Sequence, residues 1–143
     1  MLVISREILN DIFDHSRKTY PEECCGILVG RDEGEQRVVM ESHRAQNVAT
    51  ERRHDRYLID ERKLIEVLKA TRGLATDVIG FYHSHPDYPS RPSRFDIETA
   101  AWPGYSYLIA SVEKERVVSV QSWVMRDGSE SFVEEPITVK ENG

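Results

Sequence analysis

The chain has 143 residues and a formal net charge of −6 at pH 7, with 39% hydrophobic and 31% charged residues. This length and balance predict one folded domain over residues 1–143 with its own hydrophobic core. The acidic charge argues against nucleic-acid binding, which needs basic groups for phosphates, and no apolar run is long enough to span a membrane.

The N-terminus lacks the basic start and long apolar stretch of a signal peptide. The two cysteines, Cys24 and Cys25, are sequence neighbours, which rarely bridge each other. We therefore expect a cytoplasmic protein without a disulfide framework, in which both cysteines are small core residues.

The first half of the chain predicts a helix followed by a hairpin. Ser5 is a candidate N-cap for a helix to about Arg17, and residues 24–30 and 37–41 predict two strands joined by a turn. Residues 44–57 are polar and without periodicity. A loop of this length in a compact domain is often functional.

A second helix follows this loop. Asp60 is its candidate N-cap, it extends from Glu61 to about Arg72, and Gly73 closes it. Its pattern predicts that three apolar side chains face inward: Leu64, Ile65 and Leu68.

The second half predicts more strands. Residues 78–83 form a third strand, a proline-rich connection leads to a short helix near 94–101, and residues 105–112 and 116–125 predict two further strands. Asp127-Gly128 signals a turn, and a ragged last segment covers residues 131–133 and 137–139. Because helices and strands mix without strict alternation, we expect a mixed α/β (α+β) fold with one sheet flanked by helices.

The third strand ends in a pattern that indicates a metal site. Side chains two apart point to the same face of a strand, so His83 and His85 can bind one ion together. Asp96 offers an oxygen ligand, and three ligands leave one tetrahedral position open for water, as in catalytic sites. Ser93-x-x-Asp96 also predicts a helix N-cap with an acid at N3. The metal-ligand and the helix-capping interpretations are compatible, because a capped first turn holds the Asp96 side chain in a fixed position.

The spacing His83-x-His85, seven residues, Ser93-x-x-Asp96 resembles the JAMM motif of the MPN (Mov34/PAD-1) metallopeptidase family. The segment from Tyr20 to Gly30 resembles the N-terminal strand of that family. This resemblance covers nearly the whole chain. It implies a sheet with helices on both sides, similar to the cytidine-deaminase fold.

The resemblance also implies the chemistry. It implies one zinc ion per chain held by His83, His85 and Asp96, with Glu23 as general base and Ser93 donating a hydrogen bond to the oxyanion. Glu22 is the alternative base. The implied substrate is a peptide or isopeptide bond at the C-terminal glycine of a ubiquitin-like or sulfur-carrier protein related to ThiS and MoaD.

Other functions remain open from the residues alone. Two histidines and a carboxylate also bind Fe(II) in oxygenases, although the order of ligands here differs. A non-catalytic module that binds ubiquitin-like tails is a further alternative, whereas a zinc deaminase would need His-x-Glu and Pro-Cys-x-x-Cys elements that the chain lacks. An exposed strand edge or the 44–57 loop could support a homodimer.

Several charged side chains have no motif of their own. We expect Arg52, Arg53 and Arg56 to form a solvated face and His15 to be solvated on its helix. Arg91 and Arg94 flank Ser93 and are candidates for contact with a substrate carboxylate.

Overall fold

The computed structural model describes residues 1–125 and 131–141. Its elements, in chain order, are β1 (Leu2–Ser5), α1 (Arg6–Thr19), β2 (Cys25–Asp32), β3 (Arg37–Ala45), α2 (Glu61–Thr71), β4 (Asp77–Pro86), α3 (Arg94–Thr99), β5 (Ser106–Glu113), β6 (Arg116–Met125), β7 (Phe132–Glu135) and β8 (Ile137–Lys140). The turn predicted at Asp127-Gly128 lies outside the described residues. Within the described ranges, no helix has the length and apolar character needed to cross a bilayer.

The helix ends follow local capping chemistry. Ser5 is the N-cap of α1, as predicted, and its hydroxyl accepts a hydrogen bond from the Ile8 backbone at 3.1 Å. Asp60 caps α2 in the same way through the Arg62 backbone at 3.0 Å. The α2 helix ends just before Gly73, which has a φ of 79°, the left-handed conformation that glycine adopts most easily after a helix.

The described strands form one sheet in the order β7-β6-β5-β4-β2-β3-β1-β8. The pairs β4–β5, β1–β3 and β1–β8 are parallel, whereas β2 pairs antiparallel with both β3 and β4. This mixed sheet with helices packed on it confirms the predicted α/β class. The β1 strand was not predicted, because its four residues are stabilised mainly by pairing with distant segments.

The sheet curls strongly. Its two edge strands, β7 and β8, are separated in sequence only by Pro136, whose carbonyl accepts a hydrogen bond from Leu2 at 2.8 Å. One residue spans at most about 7 Å between its neighbours, so the two edges must come close together. Helix α1 contacts β1, β3, β4, β5 and β6 and fills the hollow of the curled sheet.

Each face of the sheet carries one apolar core. On the α1 side, Leu9 and Ile12 pack against strand residues that include Leu28, Tyr82 and Leu108. The opposite core packs Val67 of α2 against a second set of strand residues: Ile27, Val29, Val78, Phe81 and Tyr107. Because side chains alternate along β4, His83 and His85 lie on the same face as Phe81, toward α2.

The inward face predicted for α2 is partly wrong. Ile65 is 51% exposed and Leu68 is 39% exposed, whereas Val67 is 3% exposed and supplies the buried contact. Leu64 packs at the border of the core. The spacing of Leu64, Ile65 and Leu68 correctly indicates a helix. The contact with β4, however, turns the face that carries Val67 toward the core.

Candidate metal centre

Three potential ligand atoms converge at the carboxyl end of β4. His83 Nε2 lies 3.1 Å from His85 Nε2 and 3.1 Å from Asp96 Oδ2, and His85 Nε2 lies 2.9 Å from the same carboxylate oxygen. All three side chains are buried. Four ligands arranged tetrahedrally about 2.1 Å from an ion are separated from one another by about 3.4 Å. The observed separations are close to this value.

Local structure holds each ligand in place. Ser93 and Asp96 form a reciprocal capping box at the start of α3: Asp96 N donates to Ser93 Oγ at 3.1 Å, and Ser93 N donates to Asp96 Oδ2 at 3.0 Å. The predicted capping and the convergence of Asp96 with the histidines are therefore compatible. His85 Nδ1 lies 2.7 Å from the Pro89 carbonyl and donates to it, which leaves the Nε2 lone pair free for an ion. The Tyr57 ring stacks on His83 with centroids 4.3 Å apart.

Burial and charge keep His83 and Asp96 in the protonation states of ligands. Burial lowers the pKa of His83 against the attraction of Asp96, so its imidazole is neutral. Burial tends to raise the pKa of Asp96, but the two imidazoles outweigh it and hold the pKa of this carboxyl well below its usual range.

Strand register brings Glu23 to the same place. Cys25 pairs with His83 in the antiparallel β2–β4 ladder, and Ser84 N donates a hydrogen bond to Cys24 O at 3.1 Å. Glu23, which directly precedes these residues, therefore lies beside His85. Its side chain is 2% exposed, whereas Glu22 is exposed. Burial, and then the charges of Asp96 and Asp55, raise the pKa of Glu23 to about 9.

The donor set fits a divalent cation. Two buried atoms have no hydrogen-bond partner among the described residues: Glu23 Oε1 and His83 Nδ1. The cluster also holds two buried carboxyl groups, Glu23 and Asp96, next to the neutral imidazole of His83. A bound cation would offset this excess of acidic groups and favour the ionised form of Glu23.

One cavity adjoins the cluster, and a second lies behind Tyr57, whose ring stacks on His83. The larger, of about 490 Å³, is mostly apolar, and its lining includes Tyr57, Ile59, Leu64, Phe81, Trp102 and Tyr107. The smaller, of about 400 Å³, contains Glu23, His85 and Ser93. The smaller cavity is therefore the chamber in which a substrate would meet the candidate metal ligands.

The loop between β3 and α2, which includes most of the polar segment 44–57, forms a wall of both cavities. The side-chain amide of Asn47 donates to the carbonyls of Glu23 and Arg56, each at 3.0 Å. Glu23 N donates in turn to Arg53 O at 2.7 Å. Sequence reasoning missed Asn47, because a single asparagine in a polar loop without periodicity carries no signal of its partners.

Other side chains differ from the sequence predictions. Arg52 and Arg53 are exposed as expected, but Arg56 is half-buried over the Phe95 ring. His15 is not solvated: it is half-buried and lies 2.7 Å from the Tyr82 hydroxyl. Arg94 lines the smaller cavity, where it is 93% exposed and pairs with Glu98.

The cysteines are core residues, as predicted. Both are buried and free, and burial raises the pKa of both thiols above the usual value. A buried thiol that keeps its proton is a poor nucleophile.

Known proteins share this sequence pattern and fold. Residues 5–126 match the model of a family described as prokaryotic homologs of the JAB domain. A protein named desampylase from Haloferax volcanii is 38% identical over 114 residues, which cover 77% of this chain and 80% of that protein. A CysO-cysteine peptidase from Mycobacterium tuberculosis is 31% identical over 141 residues, or 99% and 92% of the two chains. The solution structure of a Desulfitobacterium hafniense protein has a TM-score of 0.86 at 30% identity, with coverage of 99% and 94%.

Proposed function

The chain belongs to the family of prokaryotic homologs of the JAB domain, and we propose that it is a zinc-dependent metallopeptidase. Its substrate is a peptide or isopeptide bond at the C-terminal glycine of a ubiquitin-like or sulfur-carrier protein. The family membership confirms the resemblance that the motif suggested. The names of two relatives, a desampylase and a CysO-cysteine peptidase, support a hydrolytic activity.

One observation carries the proposal. The Glu23 carboxyl is buried at the chamber that His85, one of the three converging ligands, also lines, and its Oε1 has no partner among the described residues. Burying a carboxyl group without a partner is costly. A module that only binds tails has no need for this group, whereas a hydrolase needs a base at this position.

We assign zinc to His83, His85 and Asp96. Two imidazole nitrogens and one carboxylate oxygen are a ligand set of catalytic zinc sites. When bound, zinc supplies a Lewis acid that polarises the scissile carbonyl and makes a water molecule more acidic.

Glu23 moves the proton. Its carboxylate accepts a proton from the attacking water as the water oxygen bonds to the carbonyl carbon. The same carboxyl then donates that proton to the departing amine as the carbon–nitrogen bond breaks. The products are a carboxylic acid and an amine, so the two steps restore Glu23 to its ionised form.

Ser93 stabilises the negative charge that develops on the carbonyl oxygen. Its Oγ already accepts a hydrogen bond from Asp96 N, and its own hydroxyl hydrogen is free to donate into the chamber that it lines. The capping box therefore orients both the metal ligand Asp96 and this donor.

The proposal is tested with zinc-loaded protein and a panel of ubiquitin-like and sulfur-carrier proteins extended beyond a C-terminal Gly-Gly. Mass spectrometry of the products should show cleavage directly after the last glycine. Chelation of the zinc should stop the reaction, and added zinc should restore it. Failure to cleave any member of the panel with full zinc occupancy would contradict the proposed substrate class.

A further inference from the structure

Two residues stand where the cavities meet. Arg56 and Phe95 line both the large apolar cavity and the smaller chamber that contains Glu23, His85 and Ser93. Both side chains are half-buried. A chain that lies in the large cavity and reaches the candidate metal ligands therefore has to pass this pair.

The pair is held from two sides. Phe95 lies in the first turn of α3, between Ser93 and Asp96, whose reciprocal hydrogen bonds fix that turn. Arg56 belongs to the loop between β3 and α2, and its carbonyl accepts a hydrogen bond from Asn47 at 3.0 Å. The guanidinium carbon of Arg56 lies 4.6 Å from the centroid of the Phe95 ring, within the range of a cation–π contact.

The guanidinium of Arg56 also differs from two neighbouring guanidinium groups, because theirs are paired with carboxylates. Arg52 pairs with Asp55, and Arg94 pairs with Glu98. Within residues 1–125 and 131–141, the Arg56 guanidinium has neither an ion pair nor a hydrogen bond. Its planar fork has five N–H donors, and stacking on Phe95 leaves its edges free to donate to the carbonyl oxygens of a passing chain.

We propose that Arg56 and Phe95 form a threshold that selects glycine at the two substrate residues before the scissile bond. Hydrogen bonds from Arg56 to main-chain carbonyls recognise the chain without reading side chains. A β-carbon would have to displace the stacked pair, whereas glycine has none. This inference rests on the proposed function and identifies specificity-determining residues for it.

Binding tests the threshold without turnover. The zinc-loaded Glu23→Gln variant is titrated with fluorescent peptides that end in Gly-Gly, Ala-Gly or Gly-Ala, and dissociation constants are measured by anisotropy. Since one extra methyl group in a tight site changes selectivity by roughly tenfold or more, Gly-Gly should bind about tenfold more tightly than at least one alanine peptide. In the Phe95→Ala and Arg56→Ala backgrounds this preference should fall below about threefold. An unchanged preference in both backgrounds would overturn the proposal.

Two further variants separate the threshold from folding effects. Phe95→Leu keeps an apolar side chain beside Asp96, and Arg56→Lys keeps the charge but loses the planar fork. Both should fold, retain zinc and lose part of the preference. Arg62→Ala removes a charge from the exposed first turn of α2 and should leave the preference unchanged.

Cleavage of matched protein substrates completes the test. In active protein, Phe95→Ala should lower the ratio of kcat/KM for Gly-Gly over the alanine substrate, with retained cleavage of Gly-Gly. If the chain binds Gly-Gly peptides preferentially but cleaves no protein of this class, the selection of glycine by Arg56 and Phe95 is supported and the proposed peptidase function is contradicted. If the chain cleaves Gly-Gly and alanine substrates equally well, the selection of glycine is contradicted and the proposed peptidase function is supported.

Discussion

The side-chain amide of Asn47 donates a hydrogen bond to the backbone carbonyl of Glu23 at 3.0 Å. The same amide donates to Arg56 O, and Asn47 Oδ1 accepts from Ala49 N and Leu58 N, each at 3.1 Å. Asn47 therefore joins Glu23, which lies just before β2, to the loop that forms a wall of both cavities. We regard it as a positioning residue, because its own contacts are with the backbone.

Asn47→Ala should therefore disturb Glu23 and the loop together. It leaves three part-buried backbone groups, Glu23 O, Arg56 O and Ala49 N, without this partner, so we expect a loss of about 1–3 kcal/mol in the free energy of unfolding. We also expect a fall in kcat larger than the change in KM, with zinc content unchanged. Denaturant unfolding, kinetics and metal analysis measure these effects. Asn10→Ala, on the exposed face of α1, is the matched control, and equal kinetics of the two variants would contradict the positioning role.

Glu23→Gln should retain zinc and lose turnover. The amide keeps the shape of the side chain but cannot accept and return a proton, so we expect kcat to fall by about 10²–10⁴. Glu22→Gln removes an exposed neighbouring carboxylate and should keep full activity. If the loss followed Glu22 and not Glu23, the base would be the alternative one.

His85→Ala should abolish stoichiometric zinc binding. It removes the imidazole whose Nε2 lies 2.9 Å from Asp96 Oδ2, and two ligands hold zinc poorly. Zinc per chain, measured after dialysis, should fall from about one to near zero. His43→Ala, whose imidazole pairs with Glu41 on β3, is the control and should retain the ion. A retained ion in the His85 variant would refute the ligand set.

Ser93 has two roles that substitutions can separate. Ser93→Ala should lower kcat by about 10²–10³ through the lost oxyanion donor and reduce stability by about 1 kcal/mol through the lost cap. Glycine is a tolerated N-cap residue but has no hydroxyl. Ser93→Gly should therefore lower kcat as much as Ser93→Ala does, with a smaller loss of stability. Ser93→Thr keeps a hydroxyl and should retain most of the kcat and most of the stability of the wild type. Full activity of the glycine variant would leave Ser93 with the capping role alone.

His15 should make the fold sensitive to acid. Burial, followed by the charge of Arg44, lowers the pKa of His15 from 6.5 to about 4. Between these values the unfolded chain binds a proton that the folded chain does not, so stability falls as pH falls from about 6.5 to about 4. Between pH 7 and pH 5 this contributes about 1 kcal/mol, because solvent screens a half-buried ring and reduces the effect of the shift. Urea unfolding of wild type and His15→Asn should show a shallower pH dependence in the variant, and identical slopes would contradict the assignment.

Features with short sequence separation could be predicted well. The spacing His83-x-His85 on a strand places two imidazoles on one face, and Ser93-x-x-Asp96 forms the capping box that the pattern indicated. Both follow from backbone geometry that a few residues define. The family resemblance then supplied Glu23 and the class of chemistry, which the spacing of the ligands could not.

Features that depend on distant pairing could not be predicted. Tyr82 faces away from His83 and reaches His15, and a β-carbon at position 26 would overlap its ring, which explains the glycine after the two cysteines. The buried stripe of α2 is set by its contact with β4, so Val67 is buried and Ile65 is exposed. Neither relation is visible in the local pattern.

The sequence by itself predicted the candidate ligands, the cap that orients one of them and the mixed class of fold, because each prediction depends mainly on patterns of residues close together in the chain. The tertiary structure decided that Glu23 lies beside His85, that Asn47 holds both Glu23 and Arg56, and that Arg56 lies over Phe95 between two cavities. These relations join segments that are far apart in sequence. They exist only after β2 has paired with β4 and the loop after β3 has closed over that pair, since strand register and loop closure are set by the whole sheet.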